Sequence, residues 1–320
     1  MSKEQYFSPE YTACLNGLGE HNRSADLIAA LNNGDLTSRA ELASGTDHSI
    51  EYVDTRKLEP GIEENKERLL FYVPGFTEGI VAKSPFLVSL KEKGIDVIMP
   101  NQHREGTPKV KDTTRKQALD YMAIIGNEGL QHKKVNLFGH SYGSMVAAEM
   151  VGLADEMGWT CFEDAEVILG APAGIGNKTG VLNLGSRFMK MLKSEGKASH
   201  KEIYDNSGEM FKAGQKTLLA NPLRAAKEVL ALHKYRINAK RLGHKVGGVS
   251  VLGYSNDKLF THEILEGGID SFISHGARYM TPIRFITTRD GVEVDHGRPA
   301  THNDEQFNPT RVAGAVNELI

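Results

Sequence analysis

Short apolar runs, each closed by Gly, Pro or Asn and each followed by a stretch with helical spacing, recur along this chain. Arg68-Leu69-Leu70-Phe71-Tyr72-Val73 stops at Pro74-Gly75, Asp96-Val97-Ile98-Met99 stops at Pro100-Asn101, and Lys134-Val135-Asn136-Leu137-Phe138 stops at Gly139. Glu166-Val167-Ile168-Leu169 ends at Gly170, Val249-Ser250-Val251-Leu252 ends at Gly253, and Ile283-Arg284-Phe285-Ile286-Thr287-Thr288 ends near Arg289-Asp290-Gly291. Such runs are too brief for helices and read as strands. Strands with apolar side chains on both faces belong inside a sheet covered by helices on each side, which makes the expected fold α/β with a mostly parallel central sheet.

Upstream, Ser49-Ile50-Glu51-Tyr52-Val53-Asp54 alternates as a half-exposed edge strand does, and Ala40-Glu41-Leu42-Ala43 is a candidate to pair with it. Residues 1 to about 35 read as a helical preface. The strand rhythm breaks between Gly176 and Gly247, where helix-forming stretches such as 186–192 and 223–230 follow one another without a strand. The expected organisation is an N-terminal helical extension over 1–45, a core over 46–175 and 247–320, and an inserted helical cap over 176–246. From Lys178 to Lys245 there are fifteen Lys or Arg against five acids. Solvated helix faces explain such an excess, and so does an entrance that favours anions.

Composition narrows the function class. Thirty-eight Lys and Arg against 41 Asp and Glu leave a formal charge of −3, which offers no overall attraction to nucleic acid or to an anionic membrane. Cys14 and Cys161 are the two cysteines, too few for a disulfide framework or a Cys-rich zinc site. The start lacks the apolar stretch of a secretory signal, and no later segment reaches ~18 uninterrupted apolar residues. A cytoplasmic protein without a membrane anchor is the expectation.

The chemistry concentrates at Gly139-His140-Ser141-Tyr142-Gly143, which stands between a strand and the helix-forming run 144–151. This is G-x-S-x-G in the strand–turn–helix setting of a nucleophile elbow, where a sharp turn lifts the serine hydroxyl above the sheet and flanking side chains would collide. A serine hydroxyl needs a histidine base and a carboxylate to orient it, both in loops after later strands. Asp257, a few residues beyond the run 249–252, is the candidate acid; capping the helix that starts near Thr261 is its structural alternative. His302 and His296 both follow the last strand. Spacing favours His302, which lies close before a final amphipathic helix opened by Asn308-Pro309. The oxyanion needs two donors: the Tyr142 N–H, and the Phe76 N–H in Pro74-Gly75-Phe76-Thr77-Glu78-Gly79.

From about Ser49 to Ile320 the sequence resembles the α/β-hydrolase family. The motifs in place are the Pro74-Gly75-Phe76 loop, the Gly139 to Gly143 elbow, the Gly253 to Phe260 acid loop and a late histidine before a closing helix, with the insertion standing where that family often carries a cap. A histidine commonly stands in that family where this chain has Pro74, and Asn101-Gln102-His103-Arg104-Glu105-Gly106 matches the family's loop after the preceding strand only loosely. The resemblance implies a cofactor-independent serine hydrolase acting on a small acyl substrate, neither metal nor nucleotide being called for, since H-E-x-x-H and Walker-type motifs are absent. Amide or carbon–carbon bond cleavage by the same triad, and a non-catalytic ligand-binding homologue, are the alternatives.

Overall fold

The structure is a computed structural model of the 320-residue chain and describes residues 29–31, 33–42, 49–58, 68–76, 80–101, 112–175, 183, 186–187, 190, 222–254, 257–275, 278–280, 284–289, 292–299 and 309–320. Its strands are β1 (Thr37–Glu41), β2 (Ser49–Asp54), β3 (Leu69–Val73), β4 (Asp96–Pro100), β5 (Asn136–His140), β6 (Glu166–Gly170), β7 (Gly248–Leu252), β8 (Arg278–Met280), β9 (Arg284–Arg289) and β10 (Val292–Pro299). The helices are α1 (Ile80–Glu92), α2 (Thr113–Asn127), α3 (Tyr142–Met157), α4 (Pro222–Lys234), α5 (Ala239–Gly243), α6 (His262–Ile273) and α7 (Pro309–Leu319).

Eight strands form one sheet in the order β1-β2-β4-β3-β5-β6-β7-β8. From β4 to β8 every neighbouring pair is parallel, while β2 runs antiparallel to β1 and β4. The alternation read at 49–54 and the pairing expected near residue 40 are both present, with Ala40 opposite Ile50. The sheet therefore begins at Thr37, inside the stretch expected to belong to the N-terminal extension.

All five residues of β3 and of β5 are buried because helices cover both faces. On one face Phe71, Val73, Leu137 and Leu169 pack with Tyr121 and Ile125 of α2 and Met145 and Val146 of α3. On the other, Leu70, Tyr72, Phe138 and Ile168 pack with Phe86 and Leu87 of α1 and Val312 and Val316 of α7. Tyr72, Phe86 and Phe138 form an aromatic trio with ring centroids 5.4 to 5.7 Å apart, in the range where such pairs attract beyond simple burial. At the amino edge Asn136 Nδ2 donates to Leu69 O (3.2 Å) and its Oδ1 accepts from Glu166 N (2.9 Å). That side chain ties β3, β5 and β6 in register.

One strand expected in the parallel sheet is elsewhere. Residues 284–289 form β9, which pairs antiparallel with β10 in a separate two-stranded sheet, and the eighth place in the main sheet goes to β8 beside β7. Asp290-Gly291 between the two strands is a strong hairpin signal, and Arg284-Phe285-Ile286-Thr287-Thr288-Arg289 carries too many polar residues for a strand buried on both faces.

Candidate active site

Three parallel strands bring the candidate residues to one edge. Ser141 follows the last residue of β5 directly, Phe76 lies three residues beyond the end of β3, and Asp257 lies five residues beyond the end of β7. Because β3, β5, β6 and β7 are parallel neighbours, these ends all project from the carboxyl side of the sheet, where ligands bind in open α/β folds.

Ser141 joins β5 to α3 with φ 52° and ψ −119°, a backbone conformation that L residues rarely adopt and that costs about 1 to 3 kcal/mol. The surroundings hold it there. Its N–H donates to Gly170 O (2.8 Å), its carbonyl accepts from Ser144 N (3.0 Å) and Ala173 N (3.1 Å), and Ser144 Oγ donates to Gly139 O (2.7 Å). The glycines are needed for space: a Cβ on Gly139 would stand 2.7 Å from Gly143 O and Ser144 Cα, and one on Gly143 would stand 2.1 Å from Val73 O. The same Cβ would be 2.7 Å from Pro74 O, so the first turn of α3 rests directly on the backbone leading to Phe76. Tyr142 opens α3, placing its backbone N–H at the positive end of the helix dipole. Phe76 is half-buried and packs against the core on the α2/α3 face.

Asp257 is 3% exposed. Its Oδ1 accepts the N–H groups of Leu259 (2.7 Å) and Phe260 (2.9 Å), and its own N–H donates to Tyr254 O (3.1 Å). This turn lies ahead of α6, whose N-cap is Thr261, so it is not the helix cap weighed for Asp257 from the sequence; it fixes the direction of the carboxylate. His302 and the rest of 300–308 lie outside the described residues. His296 falls on β10, between Asp295 and Pro299, where the pairing with β9 shifts register.

The sequence reading missed the loop after β6. Ala171 has φ 41° and donates its N–H to Leu252 O (2.9 Å), while Ala173 holds the Ser141 carbonyl. A run of small residues, Gly170-Ala171-Pro172-Ala173-Gly174, was the available signal. Gly174 O in turn accepts from Ile237 N (3.0 Å), so this loop also anchors the stretch between α4 and α5. That stretch is fastened to α3 as well. Tyr235 Oη donates to Glu149 Oε2 (3.0 Å), and burial first, then the Glu149 charge, push its phenol well above the ordinary tyrosine range. Arg115 pairs with Glu149 and Glu156, Arg241 with Glu156, and Lys245 with Asp155.

Among the described residues no three His, Cys, Asp or Glu side chains gather as a metal ion requires, and no helix is long and apolar enough to cross a membrane. No protein-family model matches the chain, and a search of curated proteins finds no relative by sequence. Solved structures do match. A bromoperoxidase from Bacillus anthracis superposes with a TM-score of 0.62 at 11% identity, covering 88% of this chain and 99% of its own. The enol-lactonase from Burkholderia xenovorans LB400 gives 0.58 at 11% identity with the same coverage. A thermophilic esterase from Thermogutta terrifontis gives 0.54 at 15% identity, covering 88% of this chain and 97% of its own. At such identities the likeness is one of fold: the chain is an α/β-hydrolase-fold protein.

Proposed function

We propose that this α/β-hydrolase-fold chain is a serine hydrolase that cleaves carboxylic esters, thioesters or related acyl substrates through a covalent acyl-enzyme. The observation that carries the reading is the backbone of Ser141. A non-glycine residue is held at φ 52° by three backbone hydrogen bonds and two sterically required glycines, at the carboxyl edge of the sheet. Strain maintained this way is characteristic of a functional position. The enol-lactonase and esterase among the structural neighbours are enzymes, which supports a hydrolase.

In this mechanism Ser141 Oγ attacks the acyl carbonyl as His302 takes its proton. The developing oxyanion is received by the N–H groups of Phe76 and Tyr142, preorganised because Gly143 seats α3 on the Val73 and Pro74 carbonyls. His302 then returns the proton to the leaving oxygen or sulfur, and the C–O or C–S bond breaks. Water, deprotonated by the same imidazole, attacks the acyl-enzyme and frees the acid and Ser141. Asp257 holds the imidazole in its working tautomer. Its Oδ1 is committed to the Leu259 and Phe260 amides, so we assign Oδ2 to the ring N–H. We assign the segment 176–246, read from the sequence as an inserted helical cap, a role in selecting the acyl group.

Hydrolysis of p-nitrophenyl esters from acetyl to long-chain, by wild type and Ser141→Ala, tests the proposal. Activity abolished by the substitution, with fluorophosphonate labelling of Ser141 in the wild type, supports it. No turnover and no labelling of folded protein would turn the reading to a non-catalytic ligand-binding protein.

A further inference from the structure

The arginines around the insertion's exit have acidic partners, with one exception. Arg115 and Arg241 meet Glu149 and Glu156. Arg236, in the extended stretch between α4 and α5, meets no carboxylate among the described residues. Its Nη1 donates to His233 O (3.2 Å) and Tyr235 O (2.5 Å), carbonyls at the carboxyl end of α4. A guanidinium carries five N–H donors in a fixed fork and stays charged at neutral pH. The two on Nη1 are engaged by the helix end, which orients the group. The edge formed by Nε and Nη2 has the geometry that grips a carboxylate with two parallel hydrogen bonds.

Burial lowers this guanidinium from the ordinary arginine value, the mark of a charge drawn partly out of water with no compensating anion among the described residues. Its backbone is well held. Tyr235 N donates to Ala231 O (2.8 Å), Ile237 N donates to Gly174 O (3.0 Å), and Asn238 Oδ1 caps α5 by accepting Arg241 N (2.9 Å). The Gly174 contact leads to the nucleophile, since Ala173 N, one residue earlier, donates to Ser141 O. That path has two residue steps of about 3.8 Å and two hydrogen-bonded pairings of about 5 Å, which caps the Cα separation of Ser141 and Arg236 at roughly 18 Å. An anionic group several bonds from a scissile carbonyl is thus within span of the arginine side chain. The sequence from Lys178 to Lys245, which includes Arg236, carries fifteen basic against five acidic residues, a net charge of matching sign.

We infer that Arg236 is a specificity-determining residue that binds a carboxylate carried by the acyl substrate, making half-esters of dicarboxylic acids the preferred substrate class. The inference rests on the serine-hydrolase reading and deepens it. Arg236 grips the remote carboxylate while Ser141 attacks the ester carbonyl at the other end, and the basic insertion raises the local concentration of such anions.

The test compares mono-(4-nitrophenyl) glutarate with the neutral 4-nitrophenyl valerate in wild type, Arg236→Gln and Arg236→Lys. The wild type is expected to prefer the half-ester in kcat/KM. Arg236→Gln should reduce that preference by about tenfold or more, mainly through KM, as loss of a hydrogen-bonded charge partner does, and Arg236→Lys should restore part of it. The wild-type preference should also shrink as salt rises. Equal preference in wild type, or a ratio unaltered by Arg236→Gln while both esters are still turned over, overturns the assignment to Arg236 and leaves the hydrolase reading intact. Failure to turn over either ester, with Ser141 unlabelled by fluorophosphonate, overturns both. Because Arg236 also closes the end of α4, competition supplies a readout on unaltered protein. Glutarate should inhibit hydrolysis of the neutral ester competitively and its diamide should not; equal inhibition by the two overturns the inference even where Arg236→Gln does not fold.

Discussion

Gly143→Ala probes the joint on which the candidate site depends. The added Cβ would stand 2.1 Å from Val73 O, 2.7 Å from Pro74 O and 2.9 Å from Val73 C. Carbon and oxygen settle no closer than about 3.3 Å in weak contact, so roughly 1.2 Å must be recovered by moving something. All three opposing atoms are main chain, at the end of β3 and the start of the Phe76 loop, and none can swing aside as a side chain would. Overpacking of this kind costs about 1 to 3 kcal/mol. With an unfolding entropy near 2.1 cal/mol/K per residue over the full chain, a loss of about 2 kcal/mol lowers Tm by only ~3 °C. Under the proposed mechanism activity suffers more, because the same shift separates Ser141 from the Phe76 N–H, and a displacement of ~1 Å between reacting groups costs about 100-fold. Differential scanning calorimetry and ester turnover should therefore diverge, with a mild thermal loss beside a severe loss of kcat. Gly314→Ala is the control. It lies within α7, nothing stands within 4 Å of its Cβ position, and replacing a helical glycine should stabilise by up to ~1 kcal/mol without touching turnover. Full activity and unchanged Tm in Gly143→Ala would refute the seating of α3 on β3.

Three further outcomes are expected. His302→Ala should lower kcat by several orders of magnitude, as triad removals do, while His296→Ala stays within a few-fold of wild type; the opposite pattern, read in the same ester assay, would transfer the base to His296. Burial first, then the hydrogen bond to Glu128 and its charge, push the Tyr52 phenol up to about 12. The folded protein then holds that proton more tightly than the unfolded chain, whose tyrosine titrates near 10. This contribution is complete below pH ~10 and lost as pH rises through ~12, so urea midpoints should fall across that window in wild type and fall less in Tyr52→Phe. Cys161 is buried and its thiol is likewise pushed up to about 12, so in a Cys14→Ser background a disulfide reagent at pH 8 should react only after denaturant is added. Rapid reaction of the native protein would show that this part of the core opens.

The layered architecture was legible because a strand buried on both faces has no polar position to spare. Leu69-Leu70-Phe71-Tyr72-Val73 and Val167-Ile168-Leu169 can be little else once a turn follows them. The same argument explains the error at 284–289. Val, Ile, Phe and Thr suit any strand, so β-forming character located the element but not its sheet; the polar Arg284, Thr287, Thr288 and Arg289 argued against a strand buried on both faces, and Asp290-Gly291 argued for a hairpin. The true eighth strand, Arg278-Tyr279-Met280, spans three residues and offers no periodicity to detect.

Within the site, legibility divides between side chains and main chain. Ser141 and Asp257 could be nominated because the role sought for each belongs to a side chain, and position beyond a strand end selected each from many other serines and aspartates. The loop after β6 acts through main-chain groups. Ala173 contributes one N–H to the Ser141 carbonyl and Gly170 one carbonyl to the Ser141 N–H. A contribution of that kind is independent of residue type except through size, so the sequence could register it only as a preference for Gly and Ala at 170–174. This gives the small residues a consequence that a side-chain inventory misses. A Cβ on Gly174 would meet Met145 Cγ at 2.9 Å and Ile237 Cγ1 at 3.1 Å, and its φ of 86° already disfavours any other residue. Enlarging Gly174 presses at once on Met145 of α3, the helix that Ser141 leads into, and on Ile237, next to Arg236. Ser141 and the stretch between α4 and α5 are thereby coupled through the main chain of one loop.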